Sequence, residues 1–384
     1  MQNKIKQQAL KCFNTGKLKK ARSLYEAFLK QNPQDPESLY MLGAIYGQVG
    51  NYVRASQYFS KTLEIQPGAF VALCGLAAAD KHLGNYEDAL HIFEKALKLQ
   101  PGNTDILLEI ASIYLHQSKL DDAEALLHKI LESNPECSEA HHGLGEIYHS
   151  KRKIDTAILY YQQALKYDNK RATTHNKLGM ALDTKGLHME AIEHFKTAVS
   201  IKQDFVEAHK NLGMNYLTIG EFTDALNAFN RAIKINPGHV DTIACLASVY
   251  ERMGEPEKAY NTIKPCLKKA GKNTKVGQVF LSISKSIDKC DEAITYANSL
   301  LEQGLRDIAK ESLHYELGML LNKLGEYDTA FSHFKSANEL RPDNFRPAEH
   351  TAYMDAIKRV FNWQFMQNAP KASYLTETPI FIVG

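Results

Sequence analysis

The sequence predicts an all-α protein, a solenoid of about ten helix-turn-helix repeats, and three observations carry this prediction. The 384-residue chain aligns with itself at an offset of 34 residues. Within each copy the apolar residues fall at helical spacing in two stretches separated by a short turn. The twentieth position of each copy is alanine. Because neither helix of a copy can bury its apolar stripe alone, we expect the copies to stack into one array, which suits a chain too long for a single compact core.

The copies begin at residues 2, 36, 70, 104, 138, 172, 206, 240, 274 and 311, so the last interval is three residues longer than the others. The clearest copy is VEAHKNLGMNYLTIGEFTDALNAFNRAIKINPG, residues 206–238. Each is predicted to form two antiparallel helices.

Small residues recur where the two helices should approach each other. The alanines of the twentieth position are Ala21, Ala55, Ala89, Ala123, Ala157, Ala191, Ala225, Ala259, Ala293 and Ala330. The eighth position is glycine or alanine in most copies, as in Gly43 and Ala77, and the twenty-fourth is often aromatic, as in Phe59. We interpret the small positions as places where two helix backbones come close, so that a larger side chain would overpack at a cost of about 1–3 kcal/mol.

Turn residues mark the ends of the predicted helices. Glycines such as Gly50 and Gly220 follow the first helix, where a left-handed residue closes it. Asp35, Pro36 and Glu37 provide a capping carboxylate, a proline at the first helical position and an acid in the first turn.

Composition narrows the possible partners. The chain has 46 basic and 44 acidic residues, so it lacks the positive surface that nucleic-acid binding requires, and we expect no nucleic-acid partner. Six cysteines are scattered singly, which favours a reducing compartment. No apolar run approaches the roughly 18 residues of a membrane span, and the N-terminus lacks the apolar core of a signal peptide. These features predict a cytoplasmic protein without a membrane partner.

The chain resembles tetratricopeptide-repeat proteins, because small residues at positions eight, twenty and twenty-seven accompany an aromatic residue at twenty-four and a proline at thirty-two. The resemblance covers residues 2–344 and implies a right-handed superhelix whose concave face is lined mainly by the first helix of each repeat. The copy at 274 departs most, with Phe280 and Leu281 in place of Leu-Gly and Ala297 in place of the aromatic residue. We expect a loosened repeat or a kink there.

The two ends of the array need covers. Gln8 replaces leucine in the first copy, which fits a wetter N-terminal end. At the other end, residues 345–369 are predicted to form a capping and linker helix, with Tyr353, Ile357 and Phe361 on one face and Trp363 as a packing residue.

Residues 370–384 read as the first strand of a truncated α/β domain, because an apolar β-branched run follows Pro379 and ends at Gly384. A repeat array, a linker helix and then TPIFIVG resembles the start of the sulfotransferase domain in bacterial tetratricopeptide-repeat sulfotransferases. That resemblance implies the cofactor 3′-phosphoadenosine 5′-phosphosulfate and makes Gly384 the start of its phosphate loop. It supplies no catalytic residue, and a flexible apolar tail or a different nucleotide-binding domain stays open.

The family resemblance places positions two, five, nine, twelve and thirteen of the first helices in a concave groove that binds a protein or peptide. The groove residues are predicted to be Tyr40, Val71, Cys74, Leu108, Leu115, His142, Glu146, Asn176, Met180, Lys210, Met214 and Leu217. They are apolar at first and mixed further along. Such a surface suits a peptide with a few apolar anchors and a polar backbone.

We predict no metal and no catalytic site within the repeats. His142, Glu146 and His149 share one helical face, but their spacing alone does not make them converge on a metal ion. His141, His175, His209 and His314 recur at the fourth position and are predicted to be core residues.

The function predicted from these features is a polypeptide-binding scaffold, the substrate-recruiting arm of a protein sulfotransferase. A free-standing interaction protein is one alternative. The arm of an O-linked N-acetylglucosamine transferase is another, although only Asn176 and Asn211 resemble the asparagine ladder of those proteins.

Overall fold

A computed structural model describes residues 2–268 and 271–340. The predicted strand, the capping helix, Trp363 and Gly384 lie outside these residues. The described part is all-α, and its helices run in chain order as follows: α1 Gln2–Asn14, α2 Leu18–Leu29, α3 Pro36–Gln48, α4 Tyr52–Ile65, α5 Phe70–Leu83, α6 Tyr86–Leu99, α7 Thr104–His116, α8 Leu120–Ser133, α9 Ser138–Ser150, α10 Ile154–Tyr167, α11 Ala172–Thr184, α12 His188–Ile201, α13 Val206–Ile219, α14 Phe222–Ile235, α15 Val240–Arg252, α16 Pro256–Leu267, α17 Thr274–Ser284, α18 Cys290–Leu301, α19 Asp307–Leu324 and α20 Tyr327–Glu339.

These helices form paired helix-turn-helix repeats, as predicted, and within the described residues they fall into two compact units, one ending at Gly254 and the other beginning at Glu255. In the first unit, each first helix from α1 to α13 packs on the second helix of its own repeat, and each second helix through α14 packs on the first helix of the next. From α3 to α15, consecutive first helices also contact each other. The first helices of this unit therefore form a continuous row. In the second unit, α17 packs on both α18 and α19, and α19 packs on α20.

The alanines of the twentieth position are fully buried, as the repeat pattern predicts, from Ala21 at 0% exposed to Ala330 at 1%. We expected the glycines of the eighth position to face a helix backbone, but they face an aromatic side chain. A Cβ atom on Gly43 would lie 2.7 Å from Phe59 Cε1, and one on Gly213 would lie 2.8 Å from Phe229 Cε1. The small residue thus accommodates the aromatic ring at position twenty-four of the same repeat.

The turn after each first helix contains a left-handed residue, which confirms the glycine prediction. Gly50 and Gly220 have φ of +77° and +85°. In three repeats the same position is occupied by Ser118, Arg152 or Asp288, with φ of +59°, +60° and +53°. The geometry is therefore imposed by the repeat even where no glycine favours it. The predicted cap also forms, since the Ser38 backbone N–H donates to the Asp35 carboxylate over 2.9 Å.

The repeat at 274 differs from the others in the way its first helix ends. Helix α17 stops at Ser284 and continues as a 3₁₀ turn over Lys285–Ile287. Phe280 and Ala297 are nonetheless buried, and the Phe280 ring packs 5.8 Å from the ring of Tyr260 and 6.2 Å from that of Tyr296. Of the two expectations, a loosened repeat or a kink, the structure shows no loosening here, and the local departure is a 3₁₀ turn at the end of the first helix.

The first repeat is wetter than those that follow, since Gln8 and Leu10 are exposed. Across residues 2–268 and 271–340, no helix combines the length and apolarity needed to cross a membrane.

Candidate functional site: the first-helix face

The predicted groove residues lie on α3, α5, α7, α9, α11 and α13, the row of first helices in the first unit. We call the surface they form the first-helix face. Side chains from neighbouring helices of this row contact each other. Thr174 Oγ1 lies 2.9 Å from His142 Nδ1, and Asn211 Nδ2 donates to Asn176 Oδ1 over 3.0 Å. These bonds make the face a continuous side-chain surface across repeats.

The beginning of the face is apolar and accessible. Val71 is 55% exposed, and Cys74, Leu108 and Leu115 are half-buried. Burial raises the pKa of the Cys74 thiol, which keeps it protonated and apolar in character. Leu108 and Leu115 also pack against the core cluster around Leu144. Tyr40 is likewise half-buried, with its ring 5.7 Å from that of Phe59, so it serves the core as well as the surface.

Two depressions open on this part of the face. One, of about 320 Å³, lies between α5 and α7. It is lined by Phe70, Cys74, Ala78, Phe93, Asn103, Asp105, Ile106 and Glu109. The other, of about 670 Å³, lies between α7, α9 and the loop after α10. It is lined by Thr104, Asp105, Leu108, Glu109, Asn134, Glu136, Cys137, Ser138, Glu139, Tyr167 and Asp168.

The sequence did not reveal that five carboxylates meet at the second depression. They come from α7, α9 and two inter-repeat loops: Asp105, Glu109, Glu136, Glu139 and Asp168. Within the sequence, these residues are separated by up to two repeats. The one available signal was the acid that recurs at position two of several first helices, as in Glu37, Asp105 and Glu139.

The middle of the face is a polar network. Burial lowers the pKa of His142, although Glu146 opposes this effect. The distance from His142 Nε2 to Glu146 Oε2 is 3.9 Å, and Lys177 Nζ pairs with Glu146 Oε1 at 2.7 Å. Burial also lowers the pKa of His149. Both histidines are therefore mainly neutral near pH 7.

No group of three or more histidine, cysteine, aspartate or glutamate side chains in the described part of the chain is arranged to hold a metal ion. For His142 and Glu146, the reason is visible in their partners. Their polar atoms contact Thr174 and Lys177, which belong to the next repeat.

The far end of the face is less accessible than the sequence suggested. Asn176 is 5% exposed and donates to the Met180 sulfur at 3.7 Å. Met180 and Met214 are half-buried against the core, and Lys210 pairs with Glu207 one helical turn away. Leu217 is 5% exposed and belongs to the core cluster with Phe229. Its assignment to the groove is therefore corrected, because position twelve turns inward where the neighbouring repeat packs on it.

Of the histidines at position four, which the repeat pattern places in the core, His175 and His209 are buried, whereas His141 and His314 are half-buried. The Nε2 atoms of His141, His175 and His209 lie 2.9–3.2 Å from the backbone carbonyl six residues earlier. Two repeats add a partner at position twenty-three that the sequence did not indicate. His175 Nδ1 lies 3.0 Å from His194 Nδ1, and His314 Nδ1 lies 2.9 Å from His333 Nδ1. Burial lowers the pKa of all four rings.

Comparison with protein families matched repeat models along the chain. Models described as tetratricopeptide repeat matched residues 82–147, 172–205, 206–239 and 311–344, and one described as TPR repeat matched 145–186. A model of anaphase-promoting complex, cyclosome, subunit 3 matched residues 14–96. A search of curated proteins gave no match.

Three similar solved structures illustrate the range of matches. A structure from a study of PilF of Pseudomonas aeruginosa is 20% identical, with a TM-score of 0.47, over 52% of this chain and 90% of that one. A crystal structure of MamA is 26% identical, with a TM-score of 0.37, over 42% and 95%. A monomeric mutant of IFIT1 with Gppp-AAAA is 20% identical, with a TM-score of 0.49, over 87% and 80%. With TM-scores below 0.5, these likenesses carry no argument about function.

Proposed function

Because this chain is a tetratricopeptide-repeat protein, we propose that it is an interaction scaffold that binds an extended polypeptide along the first-helix face. One observation carries the proposal. Consecutive first helices join their side chains into one surface, and that surface opens into two depressions whose linings combine apolar and polar groups. An extended chain needs such a surface, because its side chains require pockets while its backbone requires polar partners.

Val71, Cys74 and Leu108 provide the apolar contacts in this proposal. Each is partly accessible, and fully burying an aliphatic side chain contributes about 1.5–3 kcal/mol relative to leaving it exposed. Ser112 and Asn211 lie on the same row of helices, are partly accessible and carry a hydroxyl and an amide group. Such groups can bond a peptide backbone without reading its sequence.

The proposal is tested by charging the apolar part of the face. Peptides of 12 random residues displayed on phage are selected on the purified chain, and the tightest is labelled for fluorescence polarisation. Val71→Glu should weaken its binding at least tenfold, since it places a charge among apolar contacts, while helicity measured by circular dichroism stays unchanged. We choose Val71 over Leu108 and Leu115 because those two also pack against the core.

The matched control is Leu159→Glu on α10, a second helix. Leu159 is 61% exposed, so the substitution introduces the same charge away from the first-helix face. Its binding should equal that of the unmodified chain. Equal losses for both variants, or none for Val71→Glu, would show that the peptide binds elsewhere.

The narrower hypothesis, that the face presents a polypeptide to a sulfotransferase, rests on the sequence from Pro379 to Gly384 alone. None of the matched family models describes a sulfotransferase. The hypothesis is tested by reading the gene beyond residue 384 for a proline-arginine-serine-glycine-threonine loop and assaying sulfate transfer from 3′-phosphoadenosine 5′-phosphosulfate. A stop codon there would leave the free-standing scaffold.

A further inference from the structure

We propose that the first-helix face selects a basic polypeptide segment, with an apolar side chain in the depression between α5 and α7 and a lysine or arginine about three residues away in the depression between α7 and α9. This inference rests on the proposed function and names the chemistry of its partner.

The first depression suits an apolar side chain. Phe70, Phe93 and Ile106 line it together with Cys74 and Ala78. Its volume of about 320 Å³ is enough for an aliphatic or aromatic group of one residue. Two of its polar residues, Asp105 and Glu109, also line the second depression, so the two are contiguous.

The second depression suits a cation. Its lining contains five carboxylates and, among the described residues, no lysine or arginine. Three of these carboxylates form ion pairs with basic side chains that do not line the depression. Lys81 pairs with Glu109, and Arg171 pairs with Glu139 and Asp168.

Two carboxylates remain for a ligand. Asp105 and Glu136 are exposed, and no lysine or arginine of the described chain lies within ion-pair distance of either. The whole chain carries a formal net charge of +2, so this local excess of negative charge runs against the composition. The same carboxylates would repel the phosphates of a nucleic acid, which favours a basic polypeptide as the occupant.

The lining also suits the rest of a basic side chain. Leu108 and the ring of Tyr167 form apolar walls beside the acids. Lysine and arginine bury their methylene stems along apolar surface while the charged end reaches polar groups. A small polar ligand would leave these walls uncovered.

The spacing follows from the repeat. The two depressions lie one repeat apart, between successive pairs of first helices, and packed helices are about 8–10 Å apart. A chain in the polyproline II conformation advances about 3.1 Å per residue and completes one turn every three residues. Side chains three residues apart therefore lie on the same side of the peptide, about 9 Å apart, and reach both depressions without a bend.

The experiment repeats the display selection and compares two variants of equal charge change. Asp105→Asn with Glu136→Gln removes the two carboxylates that face the ligand. Asp122→Asn with Glu132→Gln, at exposed positions on α8, is the control. Selected peptides should carry an apolar residue and, three residues away, lysine or arginine. The first double variant should weaken the best of them about two- to thirtyfold, the effect of two exposed ion pairs, and the control should not.

Replacing the selected lysine or arginine by glutamine in the peptide should remove the difference between the two variants. This inference would be overturned if the selected peptides had no preference for basic residues, or if the two double variants bound them with equal affinity. The proposed scaffold function would still be supported in that case, provided that Val71→Glu abolishes peptide binding. If no peptide is selected at all, the proposed function fails, and this inference fails with it.

Discussion

Replacing Gly213 by alanine should reveal how tightly each repeat is packed around its aromatic ring. Gly213 lies inside α13, and the added Cβ atom would stand 2.8 Å from Cε1 and 2.9 Å from Cζ of Phe229. Carbon atoms pack best at about 3.5–4.0 Å, so the ring must retreat by about 0.7 Å or more. Phe229 is 0% exposed, so other atoms of the protein surround its ring.

The magnitude follows from two opposing effects. Overpacking a core costs about 1–3 kcal/mol, whereas alanine favours a helix interior over glycine by about 1 kcal/mol. The net change is a loss of about 0–2 kcal/mol in the free energy of unfolding.

Gly47→Ala is the matched control that isolates the helical preference. Its new Cβ atom would meet only the Ala55 methyl carbon, at 4.0 Å. This variant should gain about 1 kcal/mol, so the difference between the two glycines gives the steric cost alone.

A rescue variant completes the test. The repeat at 104 combines Ala111 with Leu127, both buried, where the repeat at 206 has Gly213 and Phe229. Gly213→Ala with Phe229→Leu should therefore show a favourable coupling of about 1–2 kcal/mol in a double-mutant cycle.

The assay is urea unfolding followed by circular dichroism, supported by the melting temperature, which shifts by about 2–4 °C per kcal/mol in a unit of this size. If Gly213→Ala stabilises the chain as much as Gly47→Ala, or the double variant shows no coupling, the ring does not determine the residue at position eight.

Two further predictions concern the turns and the histidine pairs. Arg152→Gly should raise the free energy of unfolding by about 1 kcal/mol, because Arg152 has φ of +60°, which an L-residue adopts at a cost. The control is Lys153→Gly, which should not stabilise the chain because Lys153 has φ of −89°. Equal effects of the two substitutions in denaturant unfolding would refute this prediction. Burial lowers the pKa of His175 and His194 in the folded chain, so the unfolded chain binds protons more readily and stability should fall as the pH drops through about 6.5. His175→Leu with His194→Ile, which copies Leu73 and Ile92 of another repeat, should reduce the loss of melting temperature between pH 7.5 and 5.5, and an unchanged slope would contradict the assignment.

The histidine pairs show what the repeat pattern can and cannot predict. Position four is internal in the pattern, so the pattern predicts a core residue at His175. Its partner His194 lies nineteen residues later on the second helix, and only the packing of that helix brings their Nδ1 atoms to 3.0 Å. Leu217 shows the opposite case, since a residue predicted to line the groove is buried by the neighbouring repeat.

The sequence by itself determined the helix pairs, their turns and the buried alanines, because a period of 34 residues repeats the same local demands many times and each copy confirms the others. The acidic depression was decided only by the tertiary structure. Asp105 and Glu136 lie near the two ends of one copy and Asp168 near the end of the next, and no periodicity relates them. They meet because stacking places the end of one repeat beside the start of the next. Their charges do not follow the repeat pattern, because packing constrains only the buried face of each copy and the exposed residues vary from copy to copy.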